Sequence, residues 1–483
     1  MSATSSRAPE FPAGLEWFNV KDPVKLADQA GRVVLINFGA FSSINCQHVL
    51  QDLNALHRRF RNELAIISVY SPKFTAEKKR SHVQKTINRL DINHPVVHDP
   101  DLKLWQMYGT KCWPTQVLLD TEGNILGAMT GDGKKSQLEL IIKYQLGRSS
   151  EQAGARNISF SARSAPEAPN VLSFPGRMVT TPNKIYIADS GHNRILVVSP
   201  GGQVVRQYGS EGAGFIDGNG SAAAFDNPQG MVLADDFLYV ADAGNHAIRR
   251  IHTRSNDVVT IAGTGSAGTA AAVDIPGTPL TVSMSSPTDV VFKNGKLYIA
   301  MAGSHQIWRL SLIANTIEVF CGSGYEDLQD GPPGSAAFSQ PSGLTLLQNR
   351  LYCVDAGASA VREIDMDTGV VNTLVGEGLF EFGDSDGAGS VARLQYPLDI
   401  VADPIHNMLW VTDTFNNKIK RIGVSTNYVS STSCARRLDE PGGLAFHDDT
   451  LYIANTNAHE ILCLNPNNGH VEVLNVSEEL VEI

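Results

Sequence analysis

Cys46 stands where sulfur chemistry is physically accessible. Val33-Val-Leu-Ile-Asn-Phe38 reads as a buried strand, and from Ile44 to Phe60 the apolar residues Val49, Leu50, Leu53, Leu56 and Phe60 recur at helical spacing. Between them the loop Gly39-Ala-Phe-Ser-Ser-Ile-Asn-Cys46 delivers the cysteine to a helix N-terminus, where unpaired N–H groups and the helix dipole favour a thiolate. A second thiol, Cys112, precedes Trp113 and Pro114. From residue type alone Cys46 reads as a buried, inert cysteine under the helix.

Metal chemistry finds little support. The six cysteines, Cys46, Cys112, Cys321, Cys353, Cys434 and Cys463, are far apart and form no zinc-like pair, which also argues against a disulfide framework and for a reducing cytosol. Asp384-Ser-Asp386-Gly387 has a partial calcium-loop pattern, but Gln395 stands at the twelfth position where a glutamate is needed. His246, His305 and His459 occupy equivalent turns of a repeat. Around a ring such turns sit on the order of 10 Å apart, while zinc needs its nitrogens within ~2.1 Å of one point. No metal and no cofactor is expected.

The elements that position these residues fall into two regions. Up to about Gly147, strands (33–38, 64–70, 96–97, 116–119, 125–129) alternate with helices (44–60, 75–90, 136–146), a βαβ unit followed by a hairpin and a closing helix, so an α/β layer fold is expected over 1–148. Residues 149–169 are small, polar and Pro-bearing and read as a linker, with Ile158-Ser-Phe160 able to add one strand to a neighbouring sheet. Over 170–483 a motif recurs six times: Ile185-Tyr-Ile-Ala-Asp189, Leu238-Tyr-Val-Ala-Asp242, Leu297-Tyr-Ile-Ala-Met301, Leu351-Tyr-Cys-Val-Asp355, Leu409-Trp-Val-Thr-Asp413 and Leu451-Tyr-Ile-Ala-Asn455. A proline (Pro175, Pro228, Pro287, Pro341, Pro397, Pro441) opens each unit. About four short strands per unit of about 40 to 60 residues is the pattern of propeller blades, so a six-bladed all-β ring is expected. Val471 to Asn475 could complete the last blade, or the Ile158 strand could close it from the other end.

Asp189, Asp242, Asp355 and Asp413 follow strand ends, where a short carboxylate accepts backbone N–H bonds of the adjoining turn; Met301 and Asn455 replace it in two units, as a turn-capping role tolerates. The copies Asp217-Gly, Asp330-Gly and Asp386-Gly, each ending in proline eleven residues on, read as turns between blades.

The first region's loop at Cys46 resembles the active-site loop of the thioredoxin-like fold, and Cys112-Trp113-Pro114-Thr115 resembles its cis-proline loop. Together with Gly14-Leu-Glu-Trp17, Lys73-Phe74, His94-Pro95, Asp189-Ser-Gly-His-Asn193, Ala300 to Trp308 and Phe382 to Gly389, these segments resemble the NHL-repeat-containing protein 2 family over nearly the whole chain. The resemblance implies a thioredoxin-like domain followed by a six-bladed NHL propeller, with a cis Pro114. Longer members carry a further C-terminal β domain, so a chain ending at Ile483 is expected to lack it. The family loop typically reads Cys-Cys-Ile-Asn-Cys; here Ser42 and Ser43 replace the first two, so Ser-x-x-Cys stands for Cys-x-x-Cys and dithiol exchange is disfavoured. Two sharper uses of Cys46 are implied only by the fold resemblance. One is a peroxide-reactive thiolate with the hydroxyl of Ser43 three residues before it, although peroxiredoxins, which share the fold, carry proline where Gly39 stands. The other is a thiol resolved by Cys112, if their Cα atoms come within about 7 Å.

The expected function is therefore a cytosolic interaction or scaffold protein with a redox-impaired thioredoxin-like module and a propeller that binds protein partners through its faces. The alternative is a thiol-dependent oxidoreductase or peroxidase-like enzyme using Cys46, with Cys112 as partner. A formal charge of −11 opposes nucleic acid, and the basic runs His57 to Arg61 and Lys78 to Arg80 read as solvated helix faces. No apolar run approaches the roughly 20 residues that span a bilayer, and no secretory h-region opens the chain, so neither membrane insertion nor export is expected.

Overall fold

The computed structural model describes residues 6–148 and 170–478. The expected linker 149–169, with its Ile158 strand, lies outside the described residues. The chain divides into two compact units, Met1–Glu167 and Ala168–Ile483.

The first unit is one mixed sheet with strand order β1-β4-β3-β2-β5-β6: β1 Glu16–Phe18, β2 Val33–Gly39, β3 Leu64–Tyr70, β4 Val96–His98, β5 Thr115–Leu119 and β6 Ile125–Thr130. β2, β3 and β4 run parallel; β1, β5 and β6 are antiparallel to their neighbours. β2 is central and covered on both faces, which is why it reads as an apolar run interrupted only by the buried Asn37. Val33 and Leu35 pack with Val49, Leu53, Val83 and Leu138, whereas Val34, Ile36 and Phe38 pack with Phe11, Val24 and Leu104. The former side is built by α1 (Ile44–Phe60), α2 (Arg80–Arg89) and α4 (Lys135–Arg148), the latter in part by α3 (Lys103–Met107).

Three local features differ from expectation. The helix expected over 75–90 is a 3-10 turn at Ala76–Lys78, a break at Lys79 in extended conformation (φ −90°, ψ 129°), and then α2. Glu77 in the 3-10 turn is buried, while Lys78, Lys79 and Arg80 beside it are exposed. β1 and α3, of three and five residues, are too short to leave a periodic trace.

The second unit is a ring of six antiparallel sheets spanning residues 178–208, 218–262, 287–321, 341–375, 387–432 and 443–474, called blades one to six. The first strand of each blade lies against the first strands of its neighbours and lines the axis. The recurrent apolar motif is the second strand (Lys184–Asp189 in blade one), and its alternate residues face the two adjoining blades: Tyr239 and Ala241 pack with Val290 and Ile299 of blade three, Leu238 and Val240 with Tyr186 and Val197 of blade one. Blades two and five gain a two-residue edge strand, Gly218–Asn219 and Gly387–Ala388, from the connectors that carry the Asp-Gly copies. Blade six is completed by its own C-terminal strand, Val471–Leu474. The chain then crosses to blade one, where Ser477 pairs in parallel with Gln203 and the carboxylate of Glu478 meets Arg194 at 2.9 Å.

Candidate functional site

Ser43 is the N-cap of α1, in extended conformation (φ −72°, ψ 124°), and Cys46 is the third residue of the helix. Cys46 is 0% exposed. It lies beneath Gly39: a Cβ on that glycine would stand 3.4 Å from Cys46 Sγ and 3.3 Å from the Phe41 ring, so a larger residue at 39 must displace one of them. All six cysteines are thiols.

The loop is held by a residue that sequence reasoning missed. Glu77, fully buried, accepts the backbone N–H of Ser42 (3.2 Å), the hydroxyl of Tyr70 (3.1 Å) and the backbone N–H groups of Lys73 (2.8 Å) and Phe74 (2.9 Å). One carboxylate thus ties the thiol loop to the end of β3. Its only sequence trace is a lone acid at the head of a basic run. One turn into α1, His48 Nδ1 is 2.7 Å from Oδ2 of Asp132, between β6 and α4. Near this pair, burial pushes the Asp52 carboxyl above its usual range against the pull of Lys135 and His48.

The Trp113–Pro114 peptide bond is cis. Pro114 is buried at the entrance to β5, and its carbonyl accepts the N–H of Gly131 (3.0 Å). Trp113 packs against Trp105 with ring centroids 4.7 Å apart, and its buried indole N–H has no hydrogen-bond partner among the described residues. Cys112 is exposed, and its carbonyl accepts the hydroxyl of Thr115 at 2.7 Å. One thiol of this end of the unit is therefore closed to solvent and the other open.

In the propeller, Asp189, Asp242, Asp355 and Asp413 each accept a backbone N–H two residues before the blade's proline: Ser173 (2.6 Å), Asp226 (2.8 Å), Ser339 (2.7 Å) and Gln395 (2.7 Å). The turn bonded is the one entering the blade, sixteen or more residues upstream. Asn455 does the same with Asp439 (2.7 Å). Seven residues after three of these acids stands a buried cation, a signal that was readable in the sequence. Arg249 joins Asp242 (2.8 Å) to Asp217 (2.9 Å), Arg362 joins Asp355 (3.3 Å) to Asp330 (3.0 Å), and Lys420 meets Asp384 (3.0 Å), Asp386 (3.2 Å) and Asp413 (3.5 Å). The calcium-like cluster of blade five is thus filled by an ammonium group, and the Asp-Gly turns anchor connectors to cations. Burial holds Asp242 up at about 6 and Asp355 and Asp413 at about 7 despite these cations.

The equivalent histidines hold neighbouring blades together. His246 Nδ1 accepts the N–H of Ser286 (3.0 Å), His305 Nδ1 that of Gln340 (3.1 Å) and His459 Nδ1 that of Phe174 (3.0 Å). Asn193, Ser359 and Asn417 make the same bond to Asn227, Tyr396 and Glu440. In every case the donor is the residue before the next blade's proline, held at a φ between 45° and 62°.

The axis is closed. Two residues after the six prolines stand, in order, Arg177, Gly230, Asp289, Gly343, Asp399 and Gly443. Arg177 Nε meets Asp399 Oδ1 at 2.9 Å and lies 3.8 Å from Asp289 Oδ2, while its other nitrogens bond the carbonyls of Thr288 and Leu398 and the hydroxyl of Ser342. The intervening glycines leave room: a Cβ on Gly230 would collide with Asp289, and one on Gly343 would reach 2.6 Å from Asp399 Oδ1. Among the described residues no group of acids, histidines and cysteines is arranged to hold a metal ion, and no helix is long and apolar enough to cross a membrane.

A thiol-bearing helix end after β2 and a cis-proline loop before the neighbouring β5 on a mixed sheet, followed by a ring of blades that each repeat one strand motif, define a thioredoxin-like protein fused to an NHL-type propeller. Residues 31–125 match a family model described as thioredoxin-like. The NHL repeat-containing protein 2 of Bos taurus is 37% identical over 97% of this chain and 71% of its own length, and the chain belongs to that family. The protein SUPPRESSOR OF QUENCHING 1, chloroplastic, of Arabidopsis thaliana is 34% identical over 96% of this chain and 47% of its own. Among solved structures, a putative thiol:disulfide interchange protein DsbE from Chlorobium tepidum is 25% identical, covering 30% of this chain and 97% of that one with a TM-score of 0.26.

Proposed function

We propose that the chain is an interaction protein of the cytosol whose thioredoxin-like unit has lost dithiol exchange and whose propeller binds protein partners on its loop-built faces. The observation that carries this reading is Ser43 at the N-cap position with Cys46 fully buried behind it. In dithiol exchange the first thiolate attacks a substrate disulfide, expelling one substrate sulfur as thiolate. The second cysteine then attacks the mixed disulfide and releases the other substrate sulfur. A serine hydroxyl at position 43 forms no mixed disulfide, and a buried Cys46 does not reach a protein substrate. The axis plugged by Arg177 supports binding on the outer loops rather than in the channel, and loops on a rigid scaffold are where recognition is usually placed.

Two measurements on the full chain test this reading. The first is reduction of insulin disulfides by the wild-type chain and by Ser43→Cys. The expected result is no turnover by the wild type and a gain by the variant; turnover by the wild type overturns the reading. The second is cross-linking mass spectrometry of the chain with its captured partners. Cross-links concentrated on the blades are expected, and links confined to residues 6–148 would exclude the propeller as the binding unit.

A further inference from the structure

The two ends of the propeller carry different charge. The strand-end acids accept N–H groups of the connectors, so the connectors and the turns after the second strands share one face, while the hairpin turns such as 181–184 and 234–237 lie on the other. Four consecutive connectors, residues 209–227, 263–286, 322–340 and 376–396, contain eleven acidic residues and one basic residue, Arg393. The hairpin face mixes Lys293, Lys296 and Arg350 with Asp235, Asp236 and Asp448.

Cations pair with only part of the connector acids. Arg249, Arg362, Lys418 and Lys420 serve Asp217, Asp330, Asp384 and Asp386, Arg194 meets Glu211 and Arg393 meets Glu377. Asp274, Glu326, Asp327 and Glu381 make no ion pair among the described residues. Glu326 and Asp327 add two more acids beside Asp330. Amid this charge stand exposed apolar side chains: Tyr325 is 79% exposed, Val391 61%, Ile216 56% and Phe215 40%.

We propose that the connector face docks a basic peptide segment of a protein partner, its arginine or lysine side chains meeting the connector carboxylates and its apolar side chains covering Phe215, Ile216 and Tyr325. This deepens, and rests on, the reading of the propeller as protein-binding. Aromatic and aliphatic anchors inside a polar rim are the composition of a protein interface, whereas a surface of this sign repels phosphate polyanions and acidic membranes.

The test uses the full chain and three labelled probes: a peptide alternating arginine and leucine, one alternating glutamate and leucine, and single-stranded oligouridine. Binding of the arginine–leucine peptide alone is expected. Its affinity should fall about ten-fold or more in Glu326→Lys/Asp327→Lys and in Tyr325→Ser, and fall again as salt is raised from about 50 to about 300 mM, while Asp235→Lys/Asp236→Lys on the opposite face leaves it unchanged. All five positions are surface ones, so a circular dichroism spectrum like wild type confirms folding. Failure of the arginine–leucine peptide to bind, equal binding of the glutamate–leucine peptide or oligouridine, or indifference to the connector variants overturns the proposal. The protein-binding reading is judged separately by the cross-links, which use no peptide.

Discussion

His459 Nδ1 accepts the backbone N–H of Phe174 at 3.0 Å, a hydrogen bond across 285 residues that ties the last blade to the first. Five equivalent bonds run around the ring, so closure uses the same device as every other blade junction.

The junction bond at Ser286 is buried, and a buried N–H without an acceptor costs about 1–3 kcal/mol. His246→Ala is expected to lower propeller stability by that amount. His246→Asn should stay close to wild type, because Asn193 and Asn417 already supply the acceptor from the same left-handed conformation. Urea denaturation of the three proteins checks the order; equal midpoints would show that the junction bond contributes nothing.

Among the described residues Arg177 is the one cation between Asp289 and Asp399, both buried. Arg177→Met strands these carboxyls, and breaking a buried pair in this way costs about 3–5 kcal/mol. Adding Asp399→Asn should recover part of the loss, since one acid is then removed. Gly230→Ala should destabilise by a different route, collision with Asp289, and the Asp399→Asn change should not rescue it. Thermal melts of the single and double variants separate the two mechanisms.

His94 is buried in the thioredoxin-like unit with Nε2 2.7 Å from Ser68 Oγ, and burial lowers it from 6.5 to about 3, with His57 adding to the shift. On acidification the unfolded chain takes up a proton at His94 first. The stabilising contribution of the neutral ring is therefore complete above about pH 6.5 and is lost as pH falls toward 3, at up to about 1.4 kcal/mol per pH unit. Hydrogen exchange of β3 amides at pH 7.5 and 5 should show a steeper loss of stability in the wild type than in His94→Gln. Identical slopes would mean that His94 does not carry the effect.

Much of this architecture is legible in the chain because it rests on local pattern. The apolar run Val33 to Phe38, the helical spacing from Val49 to Phe60 and six copies of one strand motif each report burial within a few residues. What stayed hidden is held by partners distant in sequence. Ser42 and Glu77 are 35 residues apart, His459 and Phe174 are 285, and Arg177 and Asp399 are 222. Two signals were nevertheless present: the cation seven residues after Asp242, Asp355 and Asp413, and the order Arg, Gly, Asp, Gly, Asp, Gly two residues after the prolines. Each becomes visible only when the units are set against one another. The thiol loop divides the same way: Ser43 and Cys46 are plain in sequence, while the burial of Cys46 against Gly39 and Phe41 belongs to the fold.

The most direct measurement is the reactivity of Cys46 in the folded chain, read by mass-spectrometric labelling with a thiolate-selective reagent across a pH series, with Cys112 followed in the same digest. Cys112 is expected to label readily while Cys46 labels only on unfolding. Labelling of Cys46 in the folded chain, with an apparent pKa well below the free-cysteine value of about 8.5, would contradict it, because the helix end would then be presenting a nucleophile.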